Sequence, residues 1–336
     1  MLPDWPRALG QPMVSGLLKA EPKDFVVEEV FDVEFSNDGE FDWLWIEKCG
    51  DNTEYLAKQL ARLAGVQPRA VTYSGQKDRH AVTRQWFCVH LPGKHKPEWR
   101  VPENETWQIL RQGRHRQKLR LGSHRYNRFI LRLSELKGDI DDLESRLAFV
   151  RQGFPNYFGE QRFGHGGGNI AACRQWFAGE LSPGRFDRGM YLSAARSLIF
   201  NTVLAQRVDD ASWNQGLDGD VFSLRDSASV FLADIDADII ARLAVADIHP
   251  TGPLYGKAAK LGVDGVVADL EERIYAEFSD LCAGLMKNNL AMERRALRVV
   301  PKDLQWKYAE DDSLSLAFSL PRGCFATALV RELINY

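Results

Sequence analysis

Phe154-Pro-Asn-Tyr-Phe-Gly159, followed by Arg162-Phe-Gly-His-Gly-Gly-Gly-Asn169, is where this 336-residue chain changes character. Upstream the patterns are mostly strand-like. Residues 23–35 alternate apolar and acidic side chains in roughly a two-residue rhythm, and 42–48 read as a second strand. Asn52 or Thr53 starts a helix to about Ala64 that puts Tyr55, Leu56, Leu60 and Leu63 on one face, with Gly65 as its stop. Val71–Tyr73 is a short strand running into the turn-like Ser74–Asp78, and Gln85–Leu91 returns as a strand. Short apolar stretches between Trp107 and Leu133, broken at Gly113 and Gly122, predict a β-ribbon, and 141–152 predicts a helix. Downstream come helical patterns at about 169–178, 191–208, 234–245 and 268–291. Strand character resumes after Pro301, at 305–308 and 313–319, before a last helix over 325–334. A block of one texture flanked by another implies a domain inserted into a discontinuous one. At roughly 150 residues per domain, the length agrees.

Composition narrows the class. Apolar residues make up 45% and charged residues 26%, the balance of a soluble globular chain. No apolar run nears the roughly 18 residues of a membrane span, and Met1-Leu-Pro-Asp-Trp-Pro6 lacks the pattern of a secretory signal. The five cysteines (49, 88, 173, 282, 324) are scattered and odd in number, which points to reduced thiols in the cytoplasm. There is neither an internal repeat nor a low-complexity segment.

The net charge of −3 conceals an asymmetry. Between Thr106 and Ser134 lie eight Lys or Arg and no acid: Arg111, Arg114, Arg116, Lys118, Arg120, Arg125, Arg128 and Arg132, interleaved with Trp107, Tyr126 and Phe129. Cations that meet phosphates, beside aromatics that stack on bases, suit a looped or single-stranded nucleic acid. Residues 205–247, with nine Asp against three Arg, are acidic instead.

Gly75-Gln-Lys-Asp-Arg-His-Ala-Val-Thr-Arg-Gln85 is the second signal. Asp78 stands between Lys77 and Arg79, and neighbouring cations favour a carboxylate's charged form. A charged carboxylate serves as nucleophile or base, although an isolated loop Asp more commonly caps a turn. Other patterns fail. Gly164-His-Gly-Gly-Gly168 lacks the Lys-Ser/Thr of a phosphate loop and the strand before a dinucleotide fingerprint. The seven histidines (80, 90, 95, 115, 124, 165, 249) include no helical pair at metal spacing, and Ser74-Gly75 is no nucleophile elbow. Neither metal nor organic cofactor is implied.

Together with Gly75-Gln-Lys-Asp78, four more segments make the sequence resemble the TruD family of tRNA pseudouridine synthases. They are Lys19-Ala-Glu-Pro-Lys-Asp-Phe-Val-Val-Glu28, Asn127-Arg-Phe129, Asn156-Tyr-Phe-Gly-Glu-Gln-Arg-Phe-Gly164 and Leu320-Pro-Arg-Gly-Cys-Phe-Ala-Thr327. The likeness runs in order from about residue 15 to the end. It implies an α+β fold: a mixed, mostly antiparallel pseudouridine synthase domain (1–152 plus 301–336) interrupted by an inserted α/β TRUD domain (153–300). It also implies cofactor-free isomerisation of uridine-13 in tRNA. By matching motifs, Asp78 is the catalytic aspartate and Lys19 its basic partner. Phe25, Asn127 and Phe325 contact the target uridine, and Phe129 stacks on the base. The RNA-binding cations are then Arg111, Arg114, Arg116, Lys118, Arg120, Arg125 and Arg162, with Arg162 in the junction loop. The expected partner is tRNA alone, with neither a membrane nor a second protein, for a cytoplasmic monomer.

The chemistry suits these residues. Moving C1′ from N1 to C5 of uracil requires the base to leave its stack, at a cost of about a few kcal/mol. Base–aromatic stacking returns roughly 1–3 kcal/mol per base. Attack at C1′ and abstraction of the C2′ proton both remain open for Asp78. Two other readings stand beside this one. In the first, a catalytically silent tRNA-binding protein uses the same cations. In the second, a nucleosidase or hydrolase needs a second carboxylate, for which Asp24, Glu28 and Glu29 are available.

Overall fold

Alternating burial along the strands explains why one half of the chain folds as it does. The computed structural model describes residues 2–93, 97–101, 106–227, 229–257 and 261–336; Met1 and His95, named above, lie outside them. In chain order the first elements are β1 (Val14–Leu18), β2 (Phe25–Val30), β3 (Phe41–Lys48), α1 (Thr53–Leu63), β4 (Val71–Tyr73), β5 (Val82–His90), β6 (Trp107–His115) and β7 (Tyr126–Gly138). Then follow α2 (Ile140–Gln152), β8 (Phe154–Pro155), α3 (Gly168–Ala178), α4 (Arg185–Asp209), β9 (Val221–Leu224), β10 (Val230–Leu232), α5 (Ala237–Ala244) and β11 (Ile248–Leu254). The last are α6 (Gly265–Glu277), α7 (Ser279–Lys287), β12 (Glu293–Ala296), β13 (Arg298–Val299), β14 (Lys302–Tyr308), β15 (Leu314–Pro321) and α8 (Ala326–Leu333).

Two compact units emerge. One comprises Ser15–Gly138, Lys302–Gly323 and Tyr336. Among the described residues its sheet runs β14-β15-β7-β2-β5-β3-β6, with β1 on β7 and β4 on β5. All its strand pairs with stated direction are antiparallel except β2 with β5. The fold is thus α+β with a mixed, mostly antiparallel sheet. One face of the β3–β5 region buries Leu44, Ile46, Phe87 and Val89 under Leu56 and Leu60 of α1. The other face carries Trp43, Trp86, Val33 and Leu119. Burying large apolar side chains at ~1.5–3 kcal/mol each is what fixes the register, since a slip of one residue would exchange the faces.

The other unit comprises Met1–Val14, Asp139–Pro301 and Cys324–Asn335. Its division from the first falls at 138/139, not at the expected 152/153. Arg146 of α2 supplies the reason, because it donates to the carbonyls of Leu9, Gly10, Gln11 and Glu332 and so ties α2 to both chain termini. A sheet in the order β10-β9-β11-β12 lies in this unit and gives the expected α/β insert its strands, whose positions are hard to read because they are short and β11 contains Pro250 and Pro253. The helix expected over 268–291 is two, α6 and α7, divided where Phe278 leaves helical geometry (φ −111°, ψ 34°). No described helix is long and apolar enough to cross a membrane.

The expected β-ribbon over 107–133 is not formed. β6 pairs with β3 at one end of the sheet, while β7 lies between β15 and β2. The 116–125 connection holds the two strands apart and is itself pinned: the Trp43 indole donates to Gln117 O, Thr72 Oγ1 to Leu119 O and Gly122 N to Ser74 O.

Candidate active site

Asp78 sits in the loop between β4 and β5, and side-chain contacts shape that loop. Gln85 Nε2 donates to Gly75 O at 2.8 Å, and Thr53 Oγ1 donates to Gln85 Oε1 at 3.1 Å. Thr53 Oγ1 also accepts from Lys77 N at 3.1 Å. Asn52 occupies the N-cap position of α1 without a capping side-chain bond, leaving Thr53 for the loop. The Lys77 ammonium turns inward: it lies 2.9 Å from Glu29 Oε1 and donates to Asn127 Oδ1 at 2.9 Å. Glu29 Oε2 accepts from Trp86 N at 3.0 Å and from the Ser74 hydroxyl. His124 Nδ1 stands 3.7 Å from Glu29 Oε1, and burial pushes its pKa below the ordinary histidine value, with Glu29 opposing and Lys77 reinforcing. Gly75 leaves room for this cluster, because a Cβ there would lie 3.1 Å from His124 Cε1.

With Lys77 anchored below, Asp78 meets Lys19. Lys19 Nζ donates to Asp78 Oδ2 at 2.5 Å, each side chain 19% exposed, and His80 N donates to Asp78 Oδ1 at 3.0 Å. Lys19 has φ 63°, a left-handed conformation costing an L residue roughly 1–2 kcal/mol, and from this turn its ammonium also lies 4.1 Å from the centre of the Phe25 ring. Lys48, fully buried, donates to the carbonyls of Asp51 (2.8 Å) and Asp78 (3.2 Å). Burial lowers it to about 8, while the Asp78 carboxylate favours its charged form.

Strand pairing puts the remaining side chains on this face. Glu29 is opposite Asn127, Val27 opposite Phe129 and Phe25 opposite Leu131. Phe129 stacks on Phe318 (5.5 Å, 26°) and meets Phe25 edge-on (6.2 Å, 78°). Since Asn127 Oδ1 accepts from Lys77, its amino group is the part left to donate. Thus Lys19, Phe25, Asp78, Asn127 and Phe129 belong to one constellation. Glu28 lies opposite Arg128, one residue out of step with this set, and pairs with Arg84, which also bonds Glu47. Asp24, 2% exposed, caps its own turn by accepting from Glu21 N. Neither is a second acid for hydrolysis.

The other candidates divide. Arg111 lies over the Phe35 ring (4.6 Å) and donates to Val33 O, on the tryptophan face of the sheet and away from α1. Arg114 pairs with Asp42 (2.8 Å), Arg116 with Asp38 (2.7 Å) and Arg132 with Asp311. The stretch read as uncompensated therefore takes acids from elsewhere. Lys118, Arg120 and Arg125 are exposed and have no ion pair among the described residues. Phe325 and Arg162 belong to the other unit. There Phe325 packs edge-on to Phe158 (5.8 Å), and the Arg162 guanidinium lies 5.6 Å from Phe158 and 5.7 Å from Phe325. Among the described residues no group of three His, Cys, Asp or Glu is placed to hold a metal ion.

A sequence model of the family described as tRNA pseudouridine synthase D (TruD) matches residues 7–170 and 185–333. The chain belongs to the TruD family. It is 47% identical over 332 residues to "tRNA pseudouridine synthase D" of Pseudomonas fluorescens (strain Pf0-1), covering 98% of this chain and 94% of that one. With the protein of the same name from Pseudomonas syringae pv. syringae (strain B728a) it shares 48% over the same coverage. A crystal structure from Methanosarcina mazei, described as a candidate TruD, superposes with a TM-score of 0.70 at 18% identity over 99% of this chain and 96% of that one, a likeness of fold. Within this TruD chain, sequence reasoning gave no site role to Lys48, Thr53, Gln85 or His124, and set Lys77 beside Asp78, whereas its ammonium meets Glu29 and Asn127. An acid at position 29, in step with Phe25 and Val27 on an inward face, was the signal that a buried cation had to exist.

Proposed function

We propose that this protein converts uridine-13 of tRNA to pseudouridine without a cofactor, acting in the cytoplasm as a monomer, with Asp78 as the carboxylate that acts on the ribose. The observation that carries this reading is the Lys19–Asp78 pair, 2.5 Å apart beside the Phe25 ring. Lys19 keeps the carboxylate charged and aimed, since an opposite charge within about 4–6 Å favours ionisation. Attack at C1′ and removal of the C2′ proton both start from that charged oxygen. The N1–C1′ bond breaks, the uracil turns, C5 bonds to C1′, the C5 proton leaves and N1 gains one. The Asn127 amino group donates to a uracil carbonyl, and Phe25 and Phe129 give the extruded base an aromatic surroundings. The family resemblance adds Phe325 as a uridine contact and Arg162 as an RNA contact, with Lys118, Arg120 and Arg125 as phosphate anchors.

The test is Asp78→Ala. Tritium release from C5-labelled uridine in tRNA is expected to vanish, with tRNA affinity within about twofold of wild type because no phosphate contact is lost. Release that persists overturns the assignment. Mapping pseudouridine in total RNA with and without the enzyme checks position 13, and wild-type protein that binds tRNA yet forms no pseudouridine would favour a silent binding protein.

A further inference from the structure

In the unit that holds α4 and β11, a cavity of about 510 Å³ opens between Phe149, Trp213, Ile240, Leu243, Gln215 and Arg298. We infer that this cavity is a nucleotide site, with the phosphate of a nucleoside 5′-monophosphate on Arg298 and its base among Phe149, Trp213 and the Gln215 amide. Arg298 is 6% exposed. Its Nε donates to His249 Nδ1 at 3.1 Å, and its Nη2 to Leu243 O at 2.7 Å and Ile248 O at 3.0 Å. No acid pairs with it among the described residues; Nε and Nη2 are engaged, Nη1 has no protein acceptor among them, and the residue lines the cavity. The same unit does supply acids to other buried arginines: Arg207 meets Asp220 at 2.9 Å and Arg294 meets Glu271 at 2.8 Å.

Burial, with Arg225 adding repulsion, lowers Arg298 to about 10, so it is a cation at neutral pH without an ion pair among the described residues. Burial takes His249 down to about 3, which leaves it neutral and able to accept from the guanidinium. Position 153 serves the same end. Gly153 has φ +128°, and a Cβ there would stand 2.9 Å from Arg298 Cδ and 3.0 Å from Cγ. A guanidinium so held, with Nη1 left over, can give a phosphate oxygen a charge-assisted hydrogen bond. The cavity volume falls within the usual 300–1,000 Å³ of ligand sites. Aromatic walls with an amide beside them suit a flat ring that has a hydrogen-bonding edge. The nucleotide is either free or an unpaired residue of an RNA chain, and only the second source rests on the tRNA reading above.

The experiment titrates the whole protein with 5′-UMP, 5′-AMP, uridine and inorganic phosphate, read by tryptophan fluorescence, and measures tRNA affinity in parallel. Two variants accompany wild type: Ile240→Trp, which fills the mouth of the cavity and leaves Arg298 in place, and Arg298→Gln, with its melting temperature recorded. A monophosphate that binds about tenfold or more tighter than uridine and phosphate, and loses that advantage in Ile240→Trp, establishes a site for free nucleotide. Absent such binding, a tRNA affinity about threefold or more weaker in Ile240→Trp assigns the site to RNA. Equal binding of phosphate and nucleotide, or no monophosphate binding together with unchanged tRNA affinity, overturns the inference. Each of these outcomes is separate from Asp78-dependent pseudouridine formation, which is measured on the same preparations.

Discussion

Two cations around Asp78 and three arginines of the other unit are handled in opposite ways. Near Asp78 the acids are built in: Lys19 faces Asp78 and Lys77 faces Glu29. In the other unit, Arg162, Arg295 and Arg298 have no ion pair among the described residues and rest on hydroxyls, carbonyls, amides and rings. Arg162 donates to Ser193 Oγ, and Arg295 donates to Asn156 Oδ1 at 2.6 Å while lying 4.1 Å from the Phe158 ring. Burial lowers the pKa of both, and for Arg295 the neighbouring Arg162 adds repulsion. A built-in acid spends a cation's charge on fixing geometry. A cation without one keeps its charge for an anion that arrives later.

The sharpest break of that contrast is Glu29→Leu. It strands Lys77 in a site where the lysine side chain is 7% exposed and the acid's 0%, and removing one partner of a buried pair costs about 3–5 kcal/mol. Urea unfolding is expected to show a loss of that order. Adding Lys77→Met should recover more than half of it, because the unpaired charge is gone, while pseudouridine formation stays low because the loop has lost its tie to Asn127. A double variant no more stable than the single would mean that the pair does not hold the loop through charge.

Arg162→Gln probes the opposite side. Losing one phosphate contact is expected to weaken tRNA binding by about tenfold and to reduce the salt slope by about one, without lowering the melting temperature. Equal affinity for variant and wild type would remove Arg162 from the RNA surface. A smaller effect separates the cations of the basic stretch. Arg116 is bound bidentately by Asp38, so Arg116→Gln should change tRNA affinity by less than about twofold. Arg120→Gln with Arg125→Gln should lower the salt slope by about two. Reversal of that order would show that Asp38 releases Arg116 when RNA binds.

These contrasts were only half legible in the sequence. Inward residues on β2 and β7 follow the two-residue period, so Phe25 shares a face with Val27 and Asn127 with Phe129, each within its own strand, and the loop bearing Asp78 announced itself by Gly75. Pairing between residues so far apart in the chain was not readable. Asp42 and Asp38 lie far from Arg114 and Arg116 in the chain, so counting acids within 106–134 could not find them. Nor does a run of strand-like residues reveal its neighbour: β6 and β7 are close in sequence and join different strands. The division of the units was hidden for the same reason, because it depends on Arg146 gathering carbonyls from both termini.

One acid of the second unit tests the contrast in its finest form. Glu332 is fully buried, its Oε2 accepts from Ala8 N at 2.9 Å, and the nearest guanidinium, Arg331, stands 3.7 Å from Oε1. Burial outweighs these contacts and raises its pKa from 4.5 to about 7. The folded state therefore holds a proton that the unfolded chain has released, and stability is expected to fall as pH rises from 4.5 to about 7 and to level off above. Glu332→Gln keeps an acceptor for Ala8 N and has no charge to bury. Its urea midpoint should not share that fall, leaving the variant the more stable protein at neutral pH and without an advantage below 4.5. If wild type and variant instead show parallel profiles across that range, Arg331 neutralises Glu332 after all, and the second unit supplies counter-charges as closely as the first.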